Sequence, residues 1–304
     1  MFKPSGSWVA IPTPFDSQGK IDMGGFEALV DFHIKHGTNM LFCMGSAGEV
    51  SMLTAEERYD TLPKMVKICK GRIPCFFGAT FPTTEGTVKF AQHAESSGAD
   101  GLVFTAPNYL LPPQSAVKEF MMTAMKSVSI PVGVYNNPSR TGVFLEVDTL
   151  AALADECPNF VVDKEAMPNV SQLCEVKMRI GDRVNIMCCD FPKYSILLPT
   201  MAVGGNGAAN IGGNVIPEEM AFMSKPWDNI EQVNACREAY FKYYPLLKAL
   251  YWFSNPICIK AALNLMGLPG GSLRKPYQDL EGKKLDELKA IMDDLGVIEK
   301  YSQK

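Results

Sequence analysis

The sequence predicts an α/β chain folded as a (β/α)8 TIM barrel over residues 1–226, with a C-terminal helical extension over 227–304. Three observations predict it. Eight short apolar runs rich in β-formers recur about 30 residues apart, the size of one strand–helix unit. Amphipathic helical stretches lie between them. Beyond about Lys225 the strand-like runs stop and only helical spacing continues. Continuously apolar strands alternating with helices imply a parallel sheet covered on its outer face, and eight units are the number that closes a barrel. A doubly wound open sheet fits less well, because no Gly-x-Gly-x-x-Gly turn follows any run.

The runs are 8–12, 40–45, 73–79, 101–106, 131–136, 160–162, 184–189 and 207–211. After the second, Thr54-Ala55-Glu56-Glu57 is a capping box opening a helix that runs to about Gly71. Residues 84–94 and 114–128 follow the third and fourth runs with helical character, and 146–157 ends at Pro158. In the C-terminal part, residues 229–251 carry Val233, Cys236, Tyr240, Tyr243, Tyr244 and Leu247 at helical spacing. That aromatic stripe reads as core or subunit interface. Two more helices are expected at 257–266 and 285–295.

Composition limits the partners. Lys and Arg number 29 against 33 Asp and Glu, a net charge of −4, and no local basic cluster offsets it, which argues against nucleic acid as the main partner. With 47% hydrophobic and 20% charged residues the chain supports a sizeable core and is too apolar for disorder. No apolar run approaches the roughly 20 residues of a membrane span, and the stretch from Met1 to Ser7 lacks the apolar region of a signal peptide. A soluble cytoplasmic protein is expected. Nine cysteines, at 43, 69, 75, 157, 174, 188, 189, 236 and 258, never form Cys-x-x-Cys and mostly sit in apolar stretches, so reduced core thiols are expected. His33, His36 and His93 stand in no metal-ligand spacing, so no metal is expected. Acid–base work then falls to Tyr, Lys or carboxylates.

Chemistry in a barrel sits at the C-terminal ends of the strands. The second run ends in Gly45-Ser46-Ala47-Gly48-Glu49, where two glycines leave backbone N–H groups free to approach an anion. The fifth ends in Tyr135-Asn136-Asn137-Pro138-Ser139-Arg140-Thr141-Gly142. A Tyr there can relay protons and Arg140 can hold a carboxylate, although a core Tyr and a solvated Arg fit the same pattern. The sixth continues as Asp163-Lys164-Glu165-Ala166. A buried ammonium must be paired or neutralised, and the free amine is what attacks a ketone to form an imine. A salt-bridged structural Lys164 is the alternative.

Together these segments resemble the dihydrodipicolinate synthase / N-acetylneuraminate lyase family of class I, pyruvate-dependent enzymes, closest to its dihydrodipicolinate synthase branch. The likeness also includes Ile11-Pro12-Thr13-Pro14-Phe15, Gly204-Gly205-Asn206-Gly207, Asn214-Val215, Asn255-Pro256-Ile257 with Lys260, and Leu273-Arg274-Lys275-Pro276. It implies a covalent imine between Lys164 and pyruvate with no separate cofactor. Ser46 and Ala47 would hold the keto-acid carboxylate, Tyr135 would shuttle protons, and the backbone near Ala209 would line the side of the lysine. Tyr109 looks like the tyrosine that reaches in from a neighbouring subunit, which implies a homodimer or homotetramer. Arg140 would receive the carboxylate of an aldehyde, favouring the synthase branch.

Some positions depart from the family pattern. Ser46 and Ala47 stand where two threonines are usual: Ser46 keeps the catalytic relay hydroxyl, but Ala47 removes the other, which puts the choice of substrate in doubt. Asp163 stands where an apolar residue is usual. Strand alternation turns it toward the helices, so a paired structural carboxylate is expected, with Glu165 bracing helix to strand. Cys188-Cys189-Asp190 replaces a Ser/Gly-containing turn, and packing is its favoured role. Ala55, Arg58 and Asn108 stand where the family's lysine inhibition needs other polar groups, so weak or absent inhibition by lysine is expected. Three functions remain open. One is a synthase joining pyruvate to aspartate semialdehyde, giving 4-hydroxy-tetrahydrodipicolinate for lysine biosynthesis. Another is an aldolase or dehydratase of 2-keto-3-deoxy sugar acids or N-acetylneuraminate-like keto acids. The last is a non-catalytic keto-acid-binding homologue.

Overall fold

The computed structural model describes residues 2–189 and 195–302; Asp190, the last residue of the cysteine turn, lies outside them. Strands and helices alternate as β1 (Gly6–Ala10), α1 (Met23–Lys35), β2 (Met40–Cys43), α2 (Ala55–Cys69), β3 (Cys75–Gly78), α3 (Thr84–Ser96), β4 (Gly101–Thr105) and α4 (Gln114–Lys126). They continue as β5 (Val132–Asn136), α5 (Pro138–Thr141), α6 (Val147–Glu156), β6 (Phe160–Glu165), α7 (Val170–Ile180), β7 (Asn185–Cys189), α8 (Leu197–Ala202), β8 (Gly207–Asn210) and α9 (Pro217–Met223). All strand pairs are parallel and follow chain order, and β8 closes on β1 from Gly6↔Gly207 to Val9↔Asn210. The fold is a closed (β/α)8 barrel.

Helix starts follow local chemistry. Thr54 and Glu57 make the reciprocal capping box that opens α2, with bonds of 3.1 and 3.0 Å. Asp22 and Asn169 cap α1 and α7, two helices that the apolar runs imply without delimiting. β6 runs past its apolar start to include Asp163, Lys164 and Glu165. Charged residues fit there because alternate side chains face the barrel interior and the helix layer.

The interior is aromatic low in the barrel. Trp8 packs on Phe42 and Phe76 with ring centroids 5.5 and 5.6 Å apart, and its indole N–H donates to the Leu41 carbonyl at 3.0 Å. After α9 come only helices among the described residues: α10 (Ile230–Ala249), α11 (Ile257–Leu265), α12 (Gly282–Asp294) and α13 (Val297–Tyr301). The α10 stripe faces inward, burying Cys236, Tyr240, Tyr243 and Leu247. One hydrophobic core runs through barrel and helices alike. All cysteines are unpaired by disulfides and all but Cys174 are buried. Among the described residues, no helix is long and apolar enough to cross a membrane.

Candidate active site

A cavity of about 500 Å³ opens at the C-terminal ends of β2 to β5, a size suited to small organic substrates. Its lining includes Phe42, Gly45, Ser46, Thr105, Tyr135 and Arg140. The turn after β2 is held in an unusual shape. Met44 and Glu49, at its two ends, both have φ of 54°, a left-handed conformation that persists in non-glycine residues only where the surroundings enforce it. Gly78 permits the close approach: a Cβ there would lie 2.1 Å from the Met44 carbonyl oxygen. Among the described residues the backbone N–H groups of Ser46 and Ala47 donate to no backbone acceptor, which leaves them available to an anion. Ser46 is half-buried and lines the cavity, whereas Ala47 is fully buried and lies outside the lining.

Lys164 projects from β6 into the barrel and is 3% exposed. Its Nζ lies 4.1 Å from the ring centroid of Tyr135, 4.7 Å from that of Phe42 and 5.9 Å from that of Trp8. The Tyr135 hydroxyl meets two further side chains. Asn137 Nδ2 donates to it at 2.6 Å, and Cys189 Sγ lies 3.2 Å away. Ala209 on β8 pairs with Trp8 on one side and Cys189 on the other, so its backbone flanks this group. Arg140, at the end of α5, reaches the cavity, with Nη1 3.4 Å from Ser254 Oγ. The fold thus gathers Ser46, Tyr135, Lys164, Arg140 and Ala209 at one end of the barrel. Tyr109 stands apart: it is 93% exposed in the loop after β4, with φ of 71°.

Two expectations are corrected. Asp163 is not paired. It is completely buried on the helix side of β6, and neither carboxylate oxygen has a hydrogen-bond partner among the described residues. Burial, reinforced by the neighbouring Glu165, pushes its carboxyl well above the usual range. Glu165 does brace helix to strand, accepting from Asn136 Nδ2 at 3.1 Å and Gln172 Nε2 at 3.4 Å, and burial raises it to about 7. The cysteine turn, for its part, divides: Cys188 faces the helix layer, with Sγ 3.7 Å from the Gly207 carbonyl, while Cys189 meets Tyr135. Packing describes only the first of them. Reading the motif also passed over Asn137, although a second amide directly after a strand-end tyrosine was the available signal.

A buried ion pair supports the turn after β2. Lys260 of α11 lies 2.6 Å from Glu49 Oε1, and both side chains are almost wholly buried. Lys260 Nζ also donates to the Ser272 carbonyl at 2.8 Å. Burial outweighs attraction on both partners, raising the carboxyl and lowering the ammonium. Nearby, the Arg274 guanidinium binds Glu57 of the capping box and the Gly19 carbonyl. Sequence spacing cannot reveal contacts across more than two hundred residues.

The model of the dihydrodipicolinate synthetase family matches residues 3–295. The chain belongs to that family. It is 33% identical over 307 residues to the 4-hydroxy-tetrahydrodipicolinate synthase of Methanocaldococcus jannaschii, covering 98% of this chain and 100% of that protein. The synthase of the same name from Aquifex aeolicus is 33% identical over 288 residues, covering 94% and 96% of the two chains. Among solved structures, dihydrodipicolinate synthase from Aquifex aeolicus superposes with a TM-score of 0.89 at 31% identity, covering 97% of this chain and 99% of that one. The dihydrodipicolinate synthase of Thermotoga maritima gives 0.89 at 30% identity, covering 97% and 100%.

Proposed function

We propose that this enzyme condenses pyruvate with aspartate semialdehyde through an imine on Lys164, giving 4-hydroxy-tetrahydrodipicolinate. The observation that carries the proposal is the buried Lys164 amine, 4.1 Å from the Tyr135 ring and beside a cavity bearing both Ser46 and Arg140. The Lys164 amine adds to the pyruvate ketone and water leaves, so the covalent imine takes the place of a separate cofactor. The protonated imine draws electrons, and the methyl group loses a proton through Tyr135 to give an enamine. The enamine carbon bonds to the aldehyde carbon, whose oxygen takes up a proton. The amine of the second substrate then displaces Lys164 from the imine carbon, closing the ring and freeing the lysine. Ser46 and the N–H groups of its turn hold the pyruvate carboxylate, and Arg140 holds that of the aldehyde.

The curated relatives carry this activity in their names. The sugar-acid alternative rested partly on Ala47, but Ala47 is fully buried and is not among the residues lining the cavity. Residues 1–226 act as the catalytic barrel and 227–304 as the extension that supports it. Self-association into a dimer or tetramer is supported by Tyr109, Leu110 and Leu111, consecutive exposed apolar residues of which two hold left-handed backbone. Tyr109 then serves the site of a neighbouring copy. Borohydride reduction with pyruvate tests the reading: a mass adduct on Lys164 is expected, and its absence defeats it. Turnover of aspartate semialdehyde compared with a panel of 2-keto-3-deoxy sugar acids decides the second substrate.

A further inference from the structure

We infer that Asn137 and Cys189 are positioning residues for the Tyr135 proton relay, jointly fixing the phenolic oxygen beside Lys164. This rests on the proposed imine chemistry at Lys164. Asn137 is the first point of support. It occupies the N-cap of α5, a position where an Asn side chain ordinarily accepts from the first helical N–H groups. Here it makes no such bond. Its amide instead turns back to donate to the Tyr135 oxygen at 2.6 Å, inside a site where Asn137 is 1% exposed. An amide N–H can only donate, so the phenol accepts in that bond and one of its lone pairs is occupied.

Cys189 is the second. The pairing of Lys164 with Met187 and of Cys189 with Ala209 puts the Cys189 side chain on the interior face shared with Lys164. Its Sγ, 3% exposed as a residue, lies 3.2 Å from the phenolic oxygen. The sulfur meets the phenolic oxygen on another side, as acceptor of its proton or as donor to its second lone pair. A thiol sulfur is a weak acceptor. In either direction the thiol holds the phenol only weakly, so the phenolic proton stays available to the keto-acid intermediate. A carboxylate at the same place would hold it far more tightly.

The test reads proton transfer separately from imine formation. Exchange of pyruvate methyl hydrogens for solvent deuterium, followed by NMR, reports the imine–enamine step without any second substrate, and borohydride trapping reports the imine. Asn137→Leu and Cys189→Ala are expected to keep the Lys164 adduct while slowing exchange by about tenfold or more, within the usual reach of acid–base catalysis. Cys189→Ser, which keeps a hydrogen-bonding group, is expected to restore most of the rate. In a Tyr135→Phe background neither substitution slows exchange further, because both act through the phenol. Exchange within about twofold of the parent, or further slowing in the Phe background, overturns the assignment. If Asn137→Leu does not fold, the two Cys189 variants decide it alone. A parent enzyme giving no adduct overturns the functional reading and this one with it; normal trapping with unaffected exchange overturns this one only.

Discussion

Three ionisable residues in succession, Asp163, Lys164 and Glu165, occupy the end of β6, and the alternation of the strand separates their duties. Lys164 faces the cavity end of the barrel; the two carboxyls face the helices. Because burial raises both acids in the folded state, the folded protein keeps protons there that the unfolded chain releases. Their contribution therefore falls as pH rises through the window between the ordinary carboxyl value and the raised one. For Glu165 that window runs from 4.5 to about 7, worth on the order of 3 kcal/mol. Asp163→Asn removes one such group, so the variant should gain stability over the parent, by more at pH 8 than at pH 5. Urea unfolding at the two pH values checks this, and an equal difference at both would count against it. On the cavity side, Tyr135→Phe should lower turnover by about 10²–10⁴-fold with the imine still trappable. Arg140→Ala should raise the KM for a carboxylated aldehyde far more than that for pyruvate, as steady-state kinetics with each substrate varied would show.

The turn after β2 shows how an element gains its shape from distant partners. Its Glu49 end is held from outside by Lys260 and by the Arg274 backbone N–H, while the Arg274 guanidinium grips the α2 capping box. Removing one member of a buried ion pair strands the other. Lys260→Met should therefore cost about 3–5 kcal/mol in urea unfolding, and adding Glu49→Gln should recover part of the loss. A Lys260→Met protein as stable as the parent would refute the supporting role. This turn also marks the limit of what is legible in the chain. Gly45 to Glu49 announce an anion-binding turn through their glycines, and Thr54 with Glu57 announce the helix after it, because those signals are local. The Glu49–Lys260 pair is not local, and neither is the meeting of Tyr135 with Cys189. The first depends on a C-terminal helix packing against the turn, the second on the register of β5, β6 and β7. Asp163 misleads for a related reason: alternation correctly predicts which way it points but says nothing about what waits there.

Across the whole molecule, the eight-strand period was readable because each strand–helix unit repeats one local pattern, and the barrel follows from the count. A prediction about inhibition by lysine turns instead on the composition of one cleft. Arg58, 6% exposed, donates to the Gly78 and Thr80 carbonyls and lies 3.8 Å from the Phe81 ring centroid, lining the same cavity. Burial lowers it only to about 10, so it stays cationic at neutral pH and repels an incoming ammonium. Saturating free lysine should leave the rate of condensation unchanged in a coupled assay, and strong inhibition would refute this. The ion pair from α11 has one more consequence, for the order in which the protein comes into being. Lys260 and Arg274 are synthesised after all eight strands, and Glu49 and Glu57 long before them. All eight strands of a chain leaving the ribosome are therefore complete while the turn proposed to grip the keto acid is still untethered. A product truncated before residue 260 lacks both cations, so nothing made by that point takes their place at Glu49 and Glu57.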